Sequence, residues 1–315
     1  MFKILKAGKF TILAILIVLL LYAYTNRGML SLKLFALTQG DVVLGEMYEE
    51  KEGVRWYDDY FTIEYIDAET IAIGEPRYWQ ANYNYLILGE TRAILFDSGP
   101  GVRDIAPVIN SLTTLPVTVV SSHLHFDHVG NHGNFSHVAL IDLPHLRVVE
   151  ENGDVQLDDG QHLGFLEEIP APVLHVSEWW KADEILDIGG RKLKVIYAPG
   201  HTSDSIVLYD AERRQLFTGD YIYPGPLFAY LPDSSLEDYL NTTNNLLGQI
   251  ERNSVLLTAH RMEPPGAPLL NYVDLEELQA TLRGIKDGTL DGEGLFPVTY
   301  RVNDHIQLLT DISWQ

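Results

Sequence analysis

His123-Leu-His125-Phe-Asp127-His128-Val-Gly130-Asn131 is the stretch that decides how the rest of this chain is read. Three histidines and an aspartate fall within six residues. The preceding segment, residues 115–122 (LPVTVVSS), alternates and carries β-branched side chains as a buried strand does. Gly130, Asn131 and Gly133, which follow, are turn and helix-start residues. The cluster therefore sits at the mouth of a strand, where the backbone leaves its sheet and side chains can converge. In an extended segment His123 and His125 project to one side and suit two nitrogen ligands on one ion. Asp127 and His128 lie past the bend and can address a second ion. A polar loop with scattered surface histidines would not collect four ligand-type residues in so short a span.

Three further points repeat the pattern. His201 follows the apolar run that ends at Tyr197, Asp220 follows the run that ends at Phe217, and His260 follows the run that begins at Val255. Alone, each reads as a capping aspartate or a histidine bonded to backbone. Together with the central cluster they supply five histidines and two aspartates, enough to hold two divalent metals with one carboxylate between them. The chain has no cysteine, so thiolate ligands and disulfides are excluded. Zinc is the default for such a set, and iron or manganese also fits.

HLHFDH, then His201, Asp220 and His260, resembles the metallo-β-lactamase superfamily in its binuclear hydrolase form, over roughly residues 61–262. The resemblance implies an α/β fold, a four-layer αββα sandwich with two metals at the edge of its sheets. It implies that His123, His125 and His201 hold one metal, that Asp127, His128 and His260 hold the other, and that Asp220 bridges both. Asp97, in Leu95-Phe-Asp97-Ser-Gly99, matches the family's early strand-end aspartate and would orient ligands. Tyr223, three residues after Asp220, resembles the tyrosine that lactonases and some thioesterase-like members place beside the metals as a donor to a carbonyl or oxyanion. The commonest class of metallo-β-lactamase has cysteine where this chain has Asp220, which counts against antibiotic hydrolysis.

The N-terminus reads differently from the rest. Lys3, Lys6 and Lys9 precede an apolar run over residues 10–24, FTILAILIVLLLYAY, broken only by Thr11. With no good cleavage site after it, residues 1–25 are expected to form an uncleaved signal-anchor, a single-pass N-terminal transmembrane segment with the body extracytoplasmic (periplasmic). The alternative is secretion after cleavage. Residues 1–34 hold five basic and no acidic residues, so all 44 acidic residues lie in the remainder. A body that acidic repels polyanions and argues against nucleic acid as a partner.

Residues 26–60 are expected to be a linker and entry segment, and 61–315 one hydrolase domain. Strands are expected at 61–66, 70–73, 83–88, 92–96, 117–122 and 138–142, with a helix over 104–112. A second round follows: strands at 184–188, 192–197, 205–209, 215–218 and 255–258, with helices over 234–253 and 273–286. Ser234 and Glu237 have the spacing of a capping box. Residues 298–301 and 305–309 suggest a closing hairpin, and 145–183 an irregular insertion. Two rounds of strands and helices indicate two similar halves packed sheet on sheet.

A metal-dependent hydrolase acting on ester-type bonds is the expected activity, with a hydroxide shared by two ions as nucleophile. Asp127 would orient that hydroxide and Tyr223 would assist at the carbonyl. Separation from coenzyme A and glutathione, and the net acidity, favour a neutral or amphiphilic carboxylic ester or lactone, a small-molecule or lipid-like substrate. Alternatives are an acyl-thioesterase, a phosphodiesterase or β-lactamase, and a metal-binding scaffold without chemistry. Trp79, Tyr83, Trp179 and Trp180 are candidates for an apolar acyl-binding wall. His132, His137, His145, His162, His175 and His305 match no motif and are expected to be structural or at the surface.

Overall fold

The computed structural model describes residues 15–38, 40, 42–262 and 265–311. Two β-sheets face each other across a core in which Tyr85, Ile94 and Phe96 of one meet Val195, Leu208 and Phe217 of the other. The first sheet has eight strands in the spatial order Val54–Trp56, Thr62–Asp67, Thr70–Gly74, Tyr83–Leu88, Ala93–Phe96, Val117–Val120, His137–Ile141 and Glu178–Trp180. The second has six: Ile185–Asp187, Lys192–Tyr197, Ile206–Asp210, Gln215–Gly219, Val255–Thr258 and Leu269–Asn271.

Each sheet begins as an antiparallel meander and then changes direction. Ala93–Phe96 pairs parallel with Val117–Val120, and Gln215–Gly219 pairs parallel with Val255–Thr258. A parallel pair needs a crossover. Here it is the helix Ala106–Leu112 in the first sheet and Leu236–Gln249 in the second. Val108 and Ile109 of the first helix pack with Ile63 and Val119, while Leu236 and Leu240 of the second pack with Ile196 and Val207. The inner sheet faces meet each other and the outer faces carry helices, which is an αββα sandwich.

The strands expected at 83–88, 192–197 and 255–258 have those bounds in the structure. Three local expectations need correction. The long crossover helix is capped by Ser235, whose hydroxyl accepts from the Asp238 amide, so a single serine cap one residue on replaces the expected Ser234–Glu237 box. Residues 145–183 are not irregular throughout. They hold short helices, a three-stranded sheet and the strand Glu178–Trp180, which pairs parallel with His137–Ile141 at the edge of the first sheet. The hairpin of Val298–Arg301 and Ile306–Thr310 gains a third strand, Gly225–Ala229, which pairs parallel with Ile306–Thr310. Gly225 and Pro226 read locally as a turn, so only the tertiary pairing makes this a strand.

Residues 1–14, including the lysines of the expected anchor, lie outside the described residues. Ile15–Thr25 and Arg27–Ala36 are two helices meeting at a 79° bend. Among the described residues no single helix is long and apolar enough to cross a membrane. The large apolar side chains of the first helix are exposed, Leu20 at 69%. The second helix lies within the span expected to be a linker, yet its Leu32 is buried against Leu163 and neighbours on the outer face of the first sheet.

Candidate metal centre

The two halves deliver ligand-type residues at equivalent places. In each, an aspartate, Asp97 or Asp220, directly follows the first strand of the parallel pair, and a histidine, His123 or His260, lies two or three residues past the second. Strand ends are fixed by their ladders, so their first free side chains are held with little freedom. His125, Asp127 and His128 follow on the turn into the short helix Phe126–Val129, and His201 lies on the loop after Lys192–Tyr197. The structure thus brings all seven expected ligands together, each buried.

They form two pockets that share a carboxylate. His123 Nε2 and His201 Nε2 lie 2.8 and 3.2 Å from His125 Nδ1, so three nitrogen atoms converge on one point. On the other side, Asp127 Oδ2 lies 3.3 Å from His128 Nε2 and 3.4 Å from His260 Nε2. Asp220 spans the two: Oδ1 is 3.3 Å from His128 Nε2 and 2.9 Å from His260 Nε2, while Oδ2 is 3.7 Å from His201 Nε2. The buried Nε2 of His128 and Oδ1 of Asp220 make no hydrogen bond. Buried polar atoms left without partners carry a large desolvation cost. Divalent ions accepted by these donors would remove it, so the set fits two such ions.

The outward faces of the ligands are already satisfied. His201 Nδ1 meets the Phe228 carbonyl at 2.9 Å, and His260 Nδ1 meets the Gln80 carbonyl at 3.0 Å. His123 Nδ1 is 3.0 Å from Ser122 Oγ. Asp97 Oδ2 lies 3.0 Å from His128 Nδ1 while its Oδ1 accepts from the Ser122 amide at 2.5 Å. Such contacts fix the tautomer and leave the inner nitrogen free to bind metal. Asp97 adopts a left-handed φ of 66°, a conformation unfavourable for most L-residues but tolerated by aspartate.

Electrostatics divide the pockets. Burial pushes the His125 pKa down to about 3, helped by His201, and burial also holds His123 well below its usual range. Each ring is therefore neutral, with one nitrogen free of a proton to coordinate. Burial opposes charge on His128, but Asp127, Asp97 and Asp220 outweigh it and raise its pKa well above the ordinary value. His260 is raised in the same way, burial being overcome by Asp220 and then Asp127. Without metal, the second pocket is held together by histidine–carboxylate attraction.

His125, Asp127, His201, Asp220 and His260 form the floor of a cavity of about 950 Å³, with His123 and His128 behind them. Trp79 lines it, and its indole donates to Glu167, a residue of the 145–183 segment. Three of the four aromatics expected in the wall do not reach it. Tyr83 is buried in the inter-sheet core, Trp180 packs in the same core, and Trp179 stacks under Arg147 at 3.8 Å. Tyr223 lines the cavity and its ring sits 5.1 Å from that of His260, but its hydroxyl donates to the Pro226 carbonyl at 2.5 Å. Its donor is thus already engaged, unlike the free donor the resemblance implied.

Two contributors were not legible. Gln80 Nε2 donates to Asp127 Oδ2 at 2.8 Å, and Asn82 Nδ2 donates to the same oxygen at 3.2 Å and to the Asp127 carbonyl at 2.9 Å. They precede the strand Tyr83–Leu88, and no local pattern marks them. A hydrogen bond from the Tyr83 amide to the Ala259 carbonyl, at 2.7 Å, puts them beside His260.

This fold, with its paired pockets at one edge of the sandwich, places the chain among metallo-hydrolases. Residues 77–260 match the model of the metallo-beta-lactamase superfamily, and the chain belongs to that family. It is similar to the acyl-coenzyme A thioesterase MBLAC2 of Bos taurus, 29% identical over 54% of this chain and 69% of the relative. A hydroxyacylglutathione hydrolase of Synechococcus sp. is 31% identical over 46% of this chain and 50% of its own length. The solved structure of a metallo-beta-lactamase from Pontibacter korlensis superposes with a TM-score of 0.53 at 18% identity, over 71% of this chain and 99% of the other. That likeness speaks for the fold alone.

Proposed function

We propose that the protein is a binuclear metal-dependent hydrolase that cleaves the ester-type bond of a substrate with an apolar acyl group. The observation that carries this reading is the Asp220 carboxylate, whose two oxygens face different histidine clusters at the floor of a large cavity. Divalent ions held by this donor set, zinc by default, would polarise a carbonyl and make bound water acidic near neutral pH. The chain's own residues do the rest. His123, His125 and His201 offer unprotonated nitrogens, and Asp220 fixes the spacing of the two pockets. Asp127, whose Oδ2 accepts from Gln80 and Asn82, stays ionised because its burial is outweighed by His128, and it would orient the attacking water. The buried floor excludes bulk water and strengthens each of these interactions.

Two bonds compete. The net charge of −22 disfavours anionic carriers such as coenzyme A and supports a neutral ester or lactone. The named activities of the similar proteins support a thioester. Initial rates on matched acyl esters, lactones and thioesters, with a phosphodiester and a β-lactam as controls, separate these readings when metal content is determined alongside. About two ions per chain and ester-type turnover abolished by chelation are expected. Two bound ions with no turnover on any of these substrates would discard the hydrolase reading and favour a metal-binding scaffold.

The exposed apolar helix Ile15–Thr25 supports a second part of the proposal, attachment of the chain to a bilayer with the body outside the cytoplasm. Release of the full chain from membranes by alkaline carbonate would count against attachment, and protection of the body from protease added outside spheroplasts would count against that orientation.

A further inference from the structure

The family-matched span, residues 77–260, supplies the metal-binding floor of the cavity but not all of its walls. Ser31, Leu32 and Phe35 of the helix Arg27–Ala36 line it from one side, and Phe296 and Pro297, next to the C-terminal hairpin, line it from another. Leu163 and Leu166, from the 145–183 segment, also line it, and both belong to the apolar cluster that buries Leu32. Part of the cavity wall, the Arg27–Ala36 helix and Phe296-Pro297 above all, thus comes from outside the family-matched span.

The helix is fastened rather than resting. Arg27 Nε donates to Asp311 Oδ1 at 2.7 Å. Gly28 lies so close to the opposite backbone that a Cβ there would be 2.8 Å from the Tyr230 carbonyl oxygen, so the helix packs flush. Leu32 is only 7% exposed. The two arginines on the lining are committed elsewhere: Arg77 donates to the carbonyls of Gly45 and Asp59, and Arg261 pairs with Glu50. Among the described residues, the cavity wall offers no lysine, and no other arginine, for an anionic headgroup. A volume of about 950 Å³ lies at the upper end of the roughly 300–1,000 Å³ usual for small-molecule sites.

We propose that this cavity binds a long unbranched acyl chain, and that the Arg27–Ala36 helix, through Leu32 and Phe35, determines the chain length accepted. This rests on the hydrolase reading above. The carbonyl lies over the donor floor and the tail runs to the helix. Each methylene moved from water into such a wall contributes about a fourfold gain in binding.

The test uses the full chain, metal-loaded, in phosphatidylcholine nanodiscs, with p-nitrophenyl butyrate, octanoate, laurate and palmitate. Comparing variants in the same nanodiscs cancels substrate partitioning. Leu32→Trp fills the cavity and is expected to lower kcat/KM for palmitate by about tenfold or more while leaving butyrate within about twofold. Phe35→Ala, at the half-exposed rim, trims contact area with little burden on folding and is expected to lower palmitate about threefold, with butyrate unchanged. Equal loss on all four esters in both variants, with chelator-sensitive butyrate turnover intact in the parent, would overturn the acyl site and leave the hydrolase reading standing. If no ester of any length is turned over, the bond preference is left to the wider substrate panel, and displacement of a fluorescent fatty acid decides the wall. An affinity about tenfold weaker in Leu32→Trp supports the acyl site, and an unchanged affinity overturns it.

Discussion

Gly219 and Ser122 approach so closely that a Cβ on Gly219 would lie 2.2 Å from the Ser122 Cβ. Gly219 also has a left-handed φ of 51°. The end of one sheet is thereby pressed onto the end of the other, and Asp220, the next residue, reaches the histidines of the first half. Gly219→Ala adds both a clash and an unfavourable backbone. Destabilisation of about 2 kcal/mol or more is expected. Bound metal should fall below the wild-type ratio even in protein that stays folded, as elemental analysis after desalting would show.

Asp97 touches no point where an ion would sit, yet it holds His128 through Nδ1 and the Ser122 amide through its other oxygen. Asp97→Asn keeps the shape and removes the charge. Metal affinity is expected to weaken about 10- to 100-fold. Competition with a chelating dye reads this directly, and unchanged affinity would show that Asp97 serves only the turn.

Tyr223 offers a sharper choice. With its hydroxyl committed to the Pro226 carbonyl, Tyr223→Phe is expected to lower kcat by less than about tenfold. A loss of roughly 100-fold or more in kcat at unchanged KM would mean that the hydroxyl swings to the substrate and stabilises developing charge there.

Glu75 is buried and accepts from Tyr60 and Asn84 at 2.8 and 2.9 Å. Burial is the main cause that raises its pKa to about 7 from an ordinary 4.5. A carboxyl raised on folding binds protons more tightly in the native state. Its contribution to stability is therefore greatest below pH 4.5 and declines as pH rises through 7. Glu75→Gln removes this slope. In metal-free protein, the Tm of the variant relative to wild type should climb between pH 5 and 8, by the equivalent of about 2–3 kcal/mol. The change with pH is the diagnostic, since the amide also alters the local hydrogen bonds.

Arg191 is fully buried with Asp210, at 2.7 Å, and extends to Glu69, Thr70 and Gln215, so one guanidinium joins both sheets. Arg191→Met strands the Asp210 carboxylate with only Arg213 beside it. A loss of about 3–5 kcal/mol is expected from chemical denaturation, with KM unchanged because the network lies far from the cavity.

Much of this molecule could be read in advance because its chemistry is local. His123, His125, Asp127 and His128 are neighbours in sequence, and a strand that ends in ligands announces itself by its apolar run. Strands such as Lys192–Tyr197 carry their own alternation. What escaped was set by tertiary contact. Ser234 matched a capping pattern, but its hydroxyl donates to the His201 carbonyl at 2.8 Å, and Ser235 caps instead. Gln80 and Asn82 matter only because a distant strand end lies beside them. Trp179 and Trp180 looked like a cavity wall until the edge strand carried Trp180 into the inter-sheet core and Trp179 beneath Arg147. Aromatic residues report that something is buried, not which face buries it.

The two edges of the sandwich are closed by different means. At one, the Arg191 network holds. At the other, the first half contributes His123, His125, Asp127 and His128 and the second contributes His201, Asp220 and His260, with His125 and His201 76 residues apart in the chain. Ions bound there would act as a clasp on a hinged case, and their removal should loosen it from that side first. Amide exchange should then quicken at Tyr83 and Ile206, whose N–H groups bridge the sheets to Ala259 and Ser122. The amide of Arg213, held by Asp210 at the hinge, should keep its protection. Metal occupancy would thus be readable as a gradient of rigidity running across the fold.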